Sequence, residues 1–207
     1  MIRAERLSKV TARRTVLSEI TFAVEKGDAV SIAGPPGSGK STLLRILATL
    51  MPPTSGRVEI AGIDVTARPF DARKKVFLSG MGLGCHDMTV FEFLRLIAST
   101  RAPGNRRTAV DVAPLIARVG LDAARSVTTL TASERRLVAI AASIASRADV
   151  LLFSEPLTGL DMSAIECCTS LLSEARARGA AILATTDVDA PPSPVWSRQI
   201  HLEAVGA

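Results

Sequence analysis

Residues Gly34, Pro35, Pro36, Gly37, Ser38, Gly39, Lys40, Ser41 and Thr42 satisfy the pattern G-x-x-x-x-G-K-[ST] at every defined position. The run is bounded by an apolar, strand-like segment, Ala29 to Ala33, and by a helix-like segment, Leu43 to Leu47. A glycine-rich turn between a buried strand and a helix N-terminus belongs to layered α/β architectures. Its backbone N–H groups converge in front of the helix, where an anion is favoured both by those free donors and by the helix dipole. A phosphate loop of this kind assigns Lys40 to the β and γ phosphates of a nucleoside triphosphate and the Ser41 hydroxyl to Mg²⁺. An incidental glycine turn is the competing explanation; it leaves to chance the agreement of four defining positions with both flanking elements.

A chain of 207 residues has room for one large domain, or a domain with a subdomain, around a substantial core. Its three cysteines, Cys85, Cys167 and Cys168, lack C-x-x-C or Cys/His spacing, which points to a reducing compartment rather than to disulfides or a metal centre. With 47% hydrophobic residues and a mean hydropathy of +0.29 the chain is apolar for a soluble protein. Its most apolar uncharged stretch, Leu137 to Ser146, still falls far short of the about 20 residues of a membrane-spanning helix. Charges at Arg3, Glu5 and Arg6 stand where the apolar core of a signal peptide belongs, so no secretory leader is expected. The excess apolar surface is expected to be covered by partner subunits. A net charge of +5 raises the question of nucleic acid, but the basic residues are scattered, tyrosine is absent and aromatics are 3%. With so few rings for bases to stack on, no nucleic acid is expected, and basic surface beside phospholipid head groups is the milder reading.

Residues 2–7 and 17–25 read as strands, the second turning at Glu25 to Asp28 into the strand before the phosphate loop. The segment Pro52 to Gly56 is expected to stop the first helix, and 57–65 alternates like a hairpin. A short strand, Lys75 to Ser79, leads into a glycine-rich stretch, Gly80 to Gly84. From Thr89 to about Ser146 the periodicity is helical, with apolar positions at Val90, Phe93, Leu94 and Ile97, then Val110, Val112, Ile116 and Val119. Strand character returns at Val150 to Phe153, a helix spans Ser163 to Arg178, and strands follow at 181–184 and 199–201. No internal repeat is visible, and Ala190 to Pro194 is the one segment expected to be mobile.

Four further landmarks follow the loop. Leu130 to Arg135 reads LTASER before a helix, Val150 to Pro156 reads VLLFSEP, Thr158 to Asp161 reads TGLD, and Ala184 to Asp187 reads ATTD. In order and spacing these segments resemble the signature, Walker B strand, D-loop and switch segment of the nucleotide-binding subunit of an ABC (ATP-binding cassette) transporter. The resemblance covers essentially the whole chain. It implies an α/β fold, a P-loop NTPase core with a small antiparallel β subdomain and an all-helical subdomain. Residues 1–207 would then form a single ATP-binding domain, with the core near 1–79 and 147–207 and the helical subdomain near 80–146. It also implies ATP and Mg²⁺ as cofactors, Ser41 on the metal, and Glu155 as the catalytic group that polarises the attacking water. Thr131, Ala132, Ser133 and Asp161 would act across a dimer interface. A peripheral location on the cytoplasmic face of the membrane follows, with transmembrane subunits as partners.

The departures from the family pattern are as informative. The Walker B acid that helps to hold Mg²⁺ is Ser154 here, the switch histidine is Thr186, and the glutamine that senses nucleotide and metal aligns on Gly80. Ser154 admits two readings: a tolerated strand end with Mg²⁺ held through Ser41 and water, or a real loss of metal affinity. The adenine-stacking aromatic aligns near Thr11, a contact worth about 1–3 kcal/mol elsewhere. In the signature, Thr131 keeps a hydroxyl, while Ala132 and Ser133 replace both glycines and add side chains where backbone must approach phosphate closely. A homodimer would combine two poor sites, so a heterodimer with an intact second ATPase subunit is expected. A catalytically silent ATP-binding subunit is the alternative; a GTPase lacks its N-K-x-D guanine motif, and a P-loop kinase would not explain the helical insert ending in the Leu130 segment followed by Walker B. His86 and His201 fall on no motif position and are expected in surface or strand roles. The stripe Phe91, Phe93, Leu94 and Leu96 is expected to be mostly core, with one or two side chains left for a membrane subunit. Cys167 and Cys168 are expected to pack within their helix.

Overall fold

The computed structural model describes residues 1–12, 14–79, 87–100, 111–189 and 193–205. Strands β1 (Ile2–Thr11), β2 (Arg14–Val24) and β3 (Ala29–Ala33) precede helix α1 (Lys40–Leu47). Then come β4 (Ser55–Ile60), β5 (Ile63–Asp64), α2 (Pro69–Arg73) and β6 (Val76–Ser79). Helices α3 (Val90–Thr100), α4 (Ala113–Arg118) and α5 (Ala132–Ser146) follow, before β7 (Val150–Ser154), α6 (Met162–Ala177), β8 (Ala181–Thr186) and β9 (Arg198–His201).

The strands form an antiparallel sheet in the order β2-β1-β4-β5 and a parallel sheet in the order β6-β7-β8-β3-β9. The parallel strands are near-continuous apolar runs because both of their faces are covered. Along β7 the alternation is explicit. Val150 and Leu152 join a core with α1 and the antiparallel sheet, whereas Leu151 and Phe153 join a second core with α3, α5 and α6. The parallel sheet thus separates two apolar layers, and its strand ends are held from both sides. None of the described helices is long and apolar enough to cross a membrane.

Several expectations shift. Strand β1 runs on to Thr11 and β2 begins at Arg14, so the first hairpin is longer than its apolar patches suggest. Helix α1 ends at Leu47, well before Pro52. Thr49 adopts φ 59°, its N–H donates to Ile46 O at 2.9 Å, and Leu50 N–H donates to Arg45 O at 2.8 Å. Those two bonds close a Schellman cap, with threonine where glycine is usual. Gly56, expected to help stop that helix, lies in β4 at φ 86°, where a Cβ would stand 2.3 Å from Arg6 O. The short helix α2 has no counterpart in the expected elements. Gly80 to Gly84, Cys85, His86, Val110 and 190–192 lie outside the described residues.

Candidate functional site

Three neighbouring strands end together. In the parallel register Ala33 of β3 stands opposite Thr186 of β8, and Ser154 of β7 stands opposite Thr185. The residues that follow, Gly34, Asp187 and Glu155, therefore leave the sheet along one edge. Helix α1 starts at the same edge, because the loop 34–39 turns the chain back from β3.

Two glycines in that loop are required by geometry. A Cβ on Gly34 would lie 2.5 Å from both Leu202 O and Ser38 Oγ. Gly39, which precedes α1, adopts φ 90°, and a Cβ there would lie 2.6 Å from Leu17 Cδ2. Pro35, Pro36 and Gly37 form the exposed crest of the loop, with Ser38 N–H donating to Pro35 O at 3.2 Å. Ser38, Gly39 and Lys40 are buried beneath it, Ser41 is exposed and Thr42 is half-buried. Helix α1 has no acidic residue in its first turn and no side-chain cap. Its N-terminal donors are left for an anion. Ser38 Oγ is buried without a hydrogen-bond partner among the described residues. A cradle closed by Gly34, a buried hydroxyl without a partner and an uncapped helix N-terminus suit the oxygens of a triphosphate.

Lys40 Nζ donates to Gly34 O and lies 3.5 Å from Asp187 Oδ1. The pairing is unequal, since the lysine side chain is 10% exposed and the aspartate 56%. Asp187 closes the ATTD segment quoted from the sequence, which gave it no role; the register that puts Thr186 beside Ala33 brings it here. Among the described residues no group of three or more His, Cys, Asp or Glu side chains gathers to hold a metal. Mg²⁺ needs no such cage, because it is bound through substrate phosphates and one or two protein oxygens. The exposed Ser41 hydroxyl offers one oxygen of that kind.

Glu155 is half-buried and adopts φ 47°, while its N–H donates to Thr185 O at 3.1 Å. A left-handed backbone at a non-glycine residue costs on the order of 1–3 kcal/mol and persists where its surroundings fix it. Here β8 fixes it by that bond. Glu155 borders a largely apolar cavity of about 270 Å³ shared with Thr186, Met162, Ile165 and Trp196. Thr186 Oγ1 is buried and has no partner among the described residues. Ser154, just before Glu155, is exposed.

The residues around the signature form a second cluster. Thr131 is the N-cap of α5: its Oγ1 accepts from Glu134 N–H at 3.2 Å, and Glu134 Oε2 accepts from Thr131 N–H at 2.7 Å. The T-x-x-E spacing, a sequence signal not used above, marks this reciprocal capping box and the matching pair Thr89 and Glu92 at α3. The Thr131 N–H, then its hydroxyl and Arg125, hold the Glu134 carboxyl below its ordinary range. Ala132 opens the helix, and Ser133 Oγ donates to Gly159 O at 3.1 Å. Asp161 caps α6 through Oδ1, which accepts from Ala164 N–H at 2.8 Å. Among the described residues no hydrogen bond or ion pair joins this cluster to the phosphate loop. His201 ends β9, exposed, opposite Ala33. On α3, Phe93 and Leu94 are core, while Phe91 and Leu96 stay 37% and 38% exposed.

The sequence family described as ABC transporter matches residues 17–158, more than half of the chain. The cytochrome c biogenesis ATP-binding export protein CcmA of Paraburkholderia xenovorans (strain LB400) is 32% identical, covering 100% of this chain and 99% of its own length. A solved ATP binding subunit of an ABC transporter superposes with a TM-score of 0.83 at 25% identity, over 91% of this chain and 80% of that one. A dimeric bacterial ABC transporter cassette superposes with a TM-score of 0.85 at 23% identity, over 99% of this chain and 95% of its own, a likeness of fold.

Proposed function

The chain belongs to the ABC transporter ATP-binding family, and from that premise we propose that it binds ATP with Mg²⁺ at 34–42 and closes against a second ATP-binding subunit to drive a transmembrane partner. The observation that carries this reading is the phosphate cradle itself: Gly34 closed against Leu202 and Ser38, an uncapped α1, and buried Lys40 at the edge where β3, β7 and β8 end. Lys40 would turn from Gly34 O and Asp187 to the β and γ phosphates, and Ser41 would offer its hydroxyl to the metal. Bound Mg²⁺ would neutralise charge on the phosphates. Glu155, whose backbone N–H is held by Thr185 O, would be the group that orients water.

Across the closed interface Thr131, Ala132, Ser133 and Asp161 are the residues this chain would present. The Thr131 oxygen accepts from the Glu134 N–H, and its O–H, which helps to hold the Glu134 carboxyl down, would turn from that carboxylate to donate to a phosphate on the opposite subunit. Ser133 adds a side chain at a glycine position, Ser154 carries no charge and Thr186 replaces a histidine. These three departures support slow turnover at this chain's own site and a heterodimer with an intact partner. A subunit that binds ATP without hydrolysing it is the second reading, favoured by the same residues. Phe91 and Leu96 on α3 are the apolar side chains available to a membrane subunit, in keeping with a peripheral place on the cytoplasmic face.

Calorimetric titration of the purified chain with ATP tests the assignment. Lys40→Ala is expected to abolish binding, because its ammonium is the main side-chain charge facing the phosphates. Wild-type affinity in that variant would remove the site.

A further inference from the structure

We propose that Asp187 supplies the carboxylate toward Mg²⁺ that Ser154 does not. The inference rests on the ATP-binding reading above and adds a metal-directed role to a residue of the β8 exit. Strand β7 ends in a hydroxyl, Ser154, opposite Thr185 of β8. Two positions beyond Thr185, Asp187 leaves β8, the strand lying between β7 and β3 in the sheet. A carboxylate lost from the end of one strand is thus present at the exit of its neighbour, nearer the phosphate loop.

The ion pair shows where that carboxylate stands. Its Oδ1 lies 3.5 Å from Lys40 Nζ, the atom assigned to the β and γ phosphates. Mg²⁺, when bound, would neutralise charge on those same phosphates. Nζ would reach those phosphates by turning from Gly34 O and Asp187, so the carboxylate stands one lysine side-chain rotation from the phosphate end of the site. The acid that follows Ser154 in the chain, Glu155, sits in a left-handed turn whose backbone is fixed by Thr185 O, and it is the residue proposed to orient water. Asp187 is more than half exposed, and Lys40 is its one ion-pair partner among the described residues. It is free to turn when the lysine does. Mg²⁺ keeps several waters and takes one or two carboxylates, directly or through water, so one movable aspartate with the Ser41 hydroxyl completes an adequate donor set.

Electrostatics gives the proposal its sign. When Lys40 turns to the phosphates, Asp187 is left beside a polyanion. Without a metal this is like-charge repulsion and disfavours ATP; with Mg²⁺ between them the same charge becomes attractive. Asp187 should therefore weaken ATP binding without metal and strengthen the gain that metal brings.

The experiment measures ATP affinity of the purified chain by calorimetry in EDTA and in Mg²⁺, for wild type, Asp187→Asn, Asp187→Glu and the double variant Ser154→Asp/Asp187→Asn. Asp187→Asn is expected to bind ATP in EDTA as tightly as wild type or more tightly. Its gain on adding Mg²⁺ should fall by about tenfold or more, a difference of about 1.4 kcal/mol. Asp187→Glu should keep most of the gain, and an acid at 154 in the double variant should restore it. An undiminished Mg²⁺ gain in Asp187→Asn, or no gain in wild type, overturns the assignment while leaving ATP binding in place. Absence of ATP binding by wild type under both conditions instead overturns the nucleotide reading, and this inference with it.

Discussion

Ser133 Oγ donates a 3.1 Å hydrogen bond to Gly159 O, which ties the first turn of α5 to the loop that leads into α6. The family pattern has glycine where Ser133 stands, so its backbone would be free of this tether. Here the side chain ties together two segments that the proposed function assigns to the interface with the opposite subunit, and Asp161, two residues beyond Gly159, already caps α6.

Removing the tether should loosen the loop without unfolding the protein. An exposed neutral hydrogen bond contributes about 0.5–1.5 kcal/mol. Ser133→Ala is expected to speed amide hydrogen exchange at residues 157–161 by roughly two- to tenfold, with little change in thermal midpoint. Unchanged exchange in that loop would mean the bond constrains nothing.

The capping boxes predict a response to acid. The Glu134 carboxyl is held below its ordinary value of 4.5 chiefly by the Thr131 N–H, and Glu92 likewise by the Thr89 N–H. A carboxyl with a depressed folded-state pKa contributes stability that is present above the unfolded pKa and is lost as pH falls through the folded one. Glu134→Gln and Glu92→Gln keep an acceptor but do not titrate. Chemical denaturation at neutral pH and near pH 3 should show wild type losing more stability than the double variant. Equal losses would assign these carboxylates no part in acid unfolding.

Cys168 is buried in the α6 core, where burial, with a smaller push from Cys167, raises its thiol to about 12. Its thiolate fraction near pH 8 is on the order of one in ten thousand, so it should be inert. Iodoacetamide labelling read by peptide mass spectrometry is expected to spare Cys168 in the folded chain and modify it only after denaturation. Labelling of Cys168 in the folded chain at the rate of a free thiol would show that α6 opens readily.

What the sequence revealed follows from how strictly geometry limits residue choice. The phosphate loop is legible because Gly34 faces the Leu202 carbonyl and Gly39 must sit at φ 90°, so few residue types are allowed. Strands β7 and β8 are legible because two covered faces demand unbroken apolar runs. The end of α1 was misplaced because its cap uses Thr49 at φ 59°, a residue type that does not advertise a left-handed turn. The link between Lys40 and Asp187 spans 147 positions. Only strand order and register bring the two together, and neither is written in local composition. The Ser133 to Gly159 bond was hidden for the same reason, since the family pattern presents Ser133 as an obstruction and not as a donor.

Glu155→Gln in the assembled transporter separates the two readings of this subunit. A positioned general base contributes about 10²–10⁴-fold to its own site. Glu155 has the backbone of a held residue, at φ 47° with its N–H on Thr185 O, but its neighbours Ser154 and Thr186 lack the charge and the imidazole of the family pattern. An intact partner site would then carry most of the flux. Total ATPase turnover of the complex should fall by less than about tenfold on Glu155→Gln, while the equivalent change in the partner should approach the full loss for a general base. Steady-state ATPase of the two single-site variants, with ATP binding and assembly verified for each, is the measurement. Complete loss of turnover from Glu155→Gln alone would show that Ser154 and Thr186 are working replacements and that this chain carries a full catalytic site.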